Sequence, residues 1–139
     1  MATFVPFYEF TKDLGEEIHN FGSDQLVVAL TAAANAPVQT NTVLADLTQI
    51  SYADCSSRNI TTTSWTQSTG TAKLILADLT LTSSGTVGPF RYAVVYNDTA
   101  AADNLVCYYD YGSEITLNSG ETLLIDFDGT NGVFTLAPV

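Results

Sequence analysis

From Gln25 to Leu136 the chain repeats one pattern, an apolar run of strand length closed by a turn signal. This pattern constrains the fold more than any other feature. "QLVVALT", "TAKLILADLTLT", "FRYAVVYN", "LVCYYDYG" and "TLLIDF" are rich in β-branched, leucine and aromatic residues, with Gly, Pro, Asn and Ser between them. About eight or nine short strands at this spacing predict a mainly β protein, an antiparallel β-sandwich of jelly-roll-like kind.

Within that frame, individual segments carry their own expectations. "FRYAVVYN" and "LVCYYDYG" flank a short loop from Asn97 to Asn104, which predicts an antiparallel pair. "SEITLNSGETLLIDF" predicts a hairpin with Asn118-Ser119-Gly120 at its turn. "VLADLTQI" is readable as a strand or as a single helical turn, and "TTTSWTQ" as an exposed strand. Only "FVPFYEFTKDLGEEIHNF" has helical periodicity: Phe7, Phe10, Leu14 and Ile18 recur at three- and four-residue steps. One N-terminal α-helix is therefore expected from about Pro6 to Phe21, packed on or beside the sandwich. Nothing in the 139 residues shifts in composition as a linker does, so residues 1–139 form a single expected domain.

Charge narrows the partners. The net charge is −11, and only Lys12, Arg58, Lys73 and Arg91 are cationic among Lys and Arg. Phosphate backbones and anionic membrane surfaces both require clustered Lys and Arg, so neither nucleic acid nor membrane is an expected partner. The sequence has no apolar run near ~18 residues and no secretory leader pattern, and the expectation is a soluble protein made in a cytoplasm. With so few cations, each is expected to have an acidic partner, within the chain or across an interface.

Chemistry-bearing residues are sparse. His19 is the only histidine, with no G-x-S-x-G elbow and no zinc-ligand spacing around it. It is expected at the helix C-terminus, where the dipole favours its charged form. Cys55 and Cys107 are the only cysteines, and Cys107 lies in an apolar run, so free thiols are expected rather than a disulfide. "DFDGTNG" places Asp126 and Asp128 at the first and third positions of a calcium-loop pattern. Its glycine falls one residue late, and a β-turn is the better reading. No catalytic residue, metal or cofactor is expected.

Aromatic residues offer two readings. Tyr108, Tyr109 and Tyr111, with Trp65, suit either a platform for sugar rings or core and interface packing, and the second is preferred. Tyr108 and Tyr109 must point to opposite faces of their strand. In "GPFRYAVVYNDT", Pro89 fits a strand entrance. Phe90, Tyr92, Val94 and Tyr96 are expected on one face, with Arg91 on the other, holding a carboxylate.

Four segments, "FYEFTKDLGEEIHNFGSDQLVVALT", "NTVLADLTQI", "GPFRYAVVYNDT" and "YDYGSEITLNSGETLLIDF", resemble a family of small proteins common in tailed-bacteriophage genomes. The resemblance runs in order from about Phe7 to Leu136. His19-Asn20-Phe21, Ser23-Asp24 and Gly88-Pro89-Phe90-Arg91-Tyr92 are its most specific pieces. It implies a virion structural protein and not an enzyme, best a head decoration or cement protein: a β-sandwich, often a homotrimer, on the outer surface of the phage head. The major capsid protein and further copies of itself are the implied partners. A tail or neck component is the alternative, and a carbohydrate-binding module the reading from aromatics alone. Interface or structural candidates are Arg91, Trp65, Tyr108, Tyr109, Tyr111, Phe7 and Phe10.

Overall fold

A computed structural model describes residues 2–138. The fold is a mainly antiparallel β-sandwich with one α-helix, as the strand pattern requires. In chain order the elements are β1 (Thr3–Pro6), α1 (Glu9–Gly15), β2 (Leu26–Thr31), β3 (Asn59–Ile60), β4 (Thr62–Ser68) and β5 (Thr71–Leu76). They continue with β6 (Leu79–Thr82), β7 (Val87–Asn97), β8 (Leu105–Leu117), β9 (Thr122–Ile125) and β10 (Thr135–Leu136). Single 3-10 turns at Ala33–Asn35 and Leu44–Asp46 lie in the long connection after β2. "VLADLTQI" thus takes the helical-turn option at its start.

The strands form sheets ordered β1-β8-β7-β2-β3, β10-β5-β4 and β6-β9. This division into five, three and two strands does not spell out the two four-stranded sheets of a jelly roll. β2 and β7 occupy the interior of the large sheet. All six residues of β2 and all of Tyr92–Asn97 are buried, so both faces of these strands are covered. That is why "LVVALT" and "YAVVYN" are continuous apolar runs with no alternation. Each fully buried Leu, Val or Phe here contributes roughly 1.5–3 kcal/mol by leaving water.

Three local expectations are corrected. The helix is shorter than expected: it covers Glu9–Gly15, and Thr3–Pro6 is an edge strand paired with β8. Pro6, expected in the first helical turn, ends that strand, where a missing N–H costs nothing. Glu17 has a positive φ of 61°, which breaks the helical path, and Asp24 N–H donates to Asn20 O at 2.8 Å, closing a turn that contains Phe21. Phe7 is buried as expected, but from the end of a strand and not from a helical stripe.

"TAKLILADLTLT" is two strands in two sheets, because Asp78 leaves the ladder to accept the Phe127 N–H at 2.9 Å. The expected hairpin after β8 also fails. The turn is real, with Glu121 N–H on Asn118 O at 2.9 Å, but β9 pairs with β6 instead of β8. Ser83 ties the turn to the end of β6: its N–H donates to Glu121 O at 3.1 Å, and its carbonyl accepts from Gly120 at 2.9 Å. The chain therefore crosses to the other side of the sandwich.

β7 and β8 pair with register shifts between Val87 and Phe90, Phe90 and Tyr92, and Val95 and Tyr96. Between Phe90 and Tyr96 the extra residues lie on β8, while β7 runs on without an insertion. Gly88, at φ 115°, fits this irregular crossing: a Cβ there would lie 2.7 Å from Ile115 O.

Candidate functional site

Two places combine aromatic rings with carboxylates, one sealed and one open. The sealed one gathers on Asn97, the last residue of β7, which has no exposed surface. Its Oδ1 accepts from the backbone N–H of Thr99 at 3.0 Å and of Ala100 at 3.2 Å. These two bonds fix the amide's orientation, so its nitrogen faces His19 Nδ1 at 3.0 Å and Asp24 Oδ2 at 2.7 Å. An amide nitrogen only donates, so Nδ1 is the imidazole's acceptor and the neutral ring carries its proton on Nε2. Nε2 lies 3.8 Å from Asp13 Oδ2, a carboxylate that also accepts from Asn104 Nδ2 at 3.0 Å.

Rings close over this cluster. Phe21 stacks on His19 with centroids 5.4 Å apart and planes at 12°, and the Phe10 ring lies at 5.5 Å. The His19 side chain has 0% exposure. Burial holds its pKa below the ordinary histidine value, against the opposing pull of Asp13 and Asp24. The expectation of a charged histidine at a helix end is corrected: α1 ends four residues earlier, and the buried ring favours the neutral form. With its Nδ1 occupied and its ring covered, His19 joins the segment after α1 to the end of β7.

Arg91 meets the acid expected for it. Its Nε donates to Asp110 Oδ1 at 2.8 Å and its guanidinium NH2 to Oδ2 at 3.1 Å, a bidentate pair across β7 and β8. Asp110 stands opposite Tyr92, and the guanidinium lies 5.4 Å from the Tyr92 ring centroid. Arg91 and a backbone N–H from Gly112 hold the Asp110 carboxyl below the usual carboxylate range. Lys12 likewise pairs with Glu9 and Glu16, at 2.9 and 3.6 Å. The other two cations form no ion pair within the described residues. Arg58 sits 3.6 Å over the Tyr52 ring and donates to Val28 O at 2.6 Å, and Lys73 donates to Thr130 O at 2.9 Å.

The open place is a groove of about 790 Å³ at the β1 edge, lined by Phe4, Tyr109, Tyr111, Leu124, Asp126 and Asp128 among others. β1 and β8 deliver its aromatic side, since Phe4 stands opposite Tyr109 with ring centroids 5.6 Å apart. Tyr109 also meets Phe127 edge-on at 5.9 Å. Burial pushes the Tyr109 and Tyr111 hydroxyls to higher pKa, so both rings are neutral across the physiological range. Asp128 accepts from the N–H groups of Thr130 and Asn131 at 2.9 and 2.7 Å, which establishes the turn reading of "DFDGTNG".

The seven sequence candidates separate accordingly. Tyr109 and Tyr111 reach the groove, while Tyr108 packs the opposite way against Phe7 at 5.3 Å and Tyr92 at 6.1 Å. Phe7 and Phe10 are core residues, 1% and 7% exposed, and so are poor material for an interface. Trp65 packs against Phe21 at 5.4 Å and Phe134 at 5.7 Å, apart from the groove lining. The joint Trp65–tyrosine platform is therefore not assembled.

Cys55 and Cys107 are both free, with thiols pushed up in pKa by burial. Sequence reasoning missed Phe4, Leu124, Asn97 and Asp13. Of these, only Asn97 carried a signal, as a polar residue ending an apolar run. No group of three or more His, Cys, Asp or Glu side chains is placed to hold a metal among the described residues. Nor is any helix among them long and apolar enough to cross a membrane. Comparison with family models, curated proteins and solved structures finds no match to the chain.

Proposed function

We propose that the chain is a structural component of a tailed-bacteriophage virion, acting as a head decoration protein that binds across joints between capsid subunits. One observation carries this reading: the residues behind the phage resemblance are the ones that hold the fold together. His19 and Asp24 from the first segment meet Asn97 of "GPFRYAVVYNDT" in the sealed cluster. Arg91 of that same segment clamps Asp110 of "YDYGSEITLNSGETLLIDF". Motifs made of architectural residues suit a protein whose work is to bury surface. Each copy bound to an assembled joint, and not to the dissociated subunits, stabilises it by mass action. The acidic surface keeps such a protein off packaged DNA and discourages aggregation.

The test is direct. Purified protein is examined by light scattering, then mixed with undecorated capsids assembled from the major capsid protein of the same genome and sedimented. A trimer that pellets with the capsids is the expected result. A strict monomer that stays in the supernatant contradicts the reading. Pelleting with tails but not with capsids relocates the protein to the tail or neck.

A further inference from the structure

At its β1 edge the sandwich is open. β1 and β9 each pair on one side only among the described residues, so both banks of the groove carry unpaired strand edges. Phe7 N–H donates to Val106 O at 3.3 Å. Antiparallel alternation from that point turns the Phe4 N–H and C=O away from β8. The next outward carbonyl, that of Pro6, accepts from Gln39 Nε2 at 2.9 Å. The open edge is thus confined to the stretch beside the groove.

The groove's surface is apolar and its rim is acidic. Phe4 is 38% and Leu124 53% exposed, large values for residues of their size and type. Asp126 and Asp128 are exposed at the rim. Hydrogen bonds from Asn131 and Thr130 hold the Asp128 carboxyl below its ordinary range, so it is charged at neutral pH. Aromatic faces beside carboxylates suit a cation on an apolar stem, which is what arginine and lysine side chains are.

The chain itself has no such cation to spare. Lys12 is held by two glutamates, Arg58 by Tyr52 and Val28, Lys73 by Thr130, and Arg91 by Asp110. A second copy therefore brings acids to an acidic rim. We propose that this groove binds an extended segment of a partner protein bearing arginine or lysine. Its backbone pairs with the Phe4 edge, its stems lie on the rings, and its charges meet Asp126 and Asp128. The proposal stands apart from the virion reading, since any partner presenting such a segment satisfies it.

Fluorescence anisotropy with a fluorescein-labelled Val-Arg-Val-Arg-Val peptide tests it. Saturable binding is expected, and Leu124→Lys and Asp126→Lys should each weaken it by at least about tenfold. Asp98→Lys is the control. Asp98 is exposed and outside the groove, so the same change in net charge as in Asp126→Lys should there leave binding near that of the unaltered protein. All three replaced side chains are exposed, and thermal melts verify that the variants are folded. The proposal is overturned if the peptide does not bind, or if Val-Glu-Val-Glu-Val binds equally well. Equal weakening by Asp98→Lys also overturns it, as does displacement of the peptide by a neutral oligosaccharide such as chitohexaose.

Discussion

The sealed cluster and the open groove are built from the same kinds of residue. Phe10, Phe21, His19 and Asp13 make one; Phe4, Tyr109, Tyr111 and Asp126 make much of the other. What separates them is the accounting of polar groups. In the cluster, Asn97 bonds His19 Nδ1, Asp24 and two backbone amides, His19 Nε2 is left without a hydrogen-bond partner, and Asp13, His19 and Asn97 are buried. In the groove, aromatic and aliphatic surface and a rim carboxylate face solvent beside unpaired strand edges. Composition alone would mark the cluster as the active place because it holds the only histidine. Burial reverses that ranking: a covered group packs the fold, and an uncovered one recognises.

Substitutions should divide along the same line, and the largest effects belong to the cluster. Phe10→Ala removes a ring that touches His19, Phe21 and Phe134, and should cost about 3–5 kcal/mol in denaturant unfolding. Asn97→Ala leaves buried donors and acceptors unpaired, and about 2–4 kcal/mol is expected from the same measurement. A loss below about 1 kcal/mol in both would break the comparison, since the cluster would then not be structural.

The next effect is a pH dependence. Folding lowers the pKa of His19, so the unfolded chain binds its proton first as pH falls. Stability from the neutral ring is fully present above about pH 6.5 and declines as pH falls from there through the lower folded value. Urea midpoints measured from pH 7 to pH 5 should fall in the native protein and change less in His19→Gln. Parallel curves would remove His19 from the account.

Arg91→Ala should be milder, lowering the melting temperature by a few degrees, because its pair with Asp110 is about a third exposed. The depressed Asp110 pKa means that this contribution is present above about pH 4 and lost as pH falls through the folded value. Unchanged melting and assembly would show that the clamp has no architectural role. Smallest of all, Leu124→Lys should leave unfolding within about 0.5 kcal/mol of the native protein, because the groove contributes little to the fold.

Much of the fold was legible because central strands leave plain traces. "LVVALT" and "FRYAVVYN" became β2 and β7, and Arg91 forms the clamp that was expected, while Pro89 lies inside β7, two residues past its start, and not at a strand entrance. Errors arose where local pattern and tertiary pairing disagree. Asn118–Gly120 has the residues of a hairpin turn, yet Ser83 captures that turn and sends β9 to β6. Phe7 and Phe10 keep helical spacing although a strand end buries the first and a helix the second.

The groove was half legible. Tyr109 and Tyr111 stood out as aromatics, but Phe4 was assigned to no element and Leu124 to a hairpin that does not form. Their meeting depends on non-local pairing, β1 with β8 and β9 with β6, which periodicity does not encode.

The contrast between the two places is tested most directly by a backbone amide NMR titration with Val-Arg-Val-Arg-Val. Chemical-shift changes should concentrate at Phe4, Tyr109, Leu124 and Asp126, with His19, Asp24 and Asn97 unmoved. Changes centred on His19 and Asn97, or spread evenly over the acidic surface, would contradict the account.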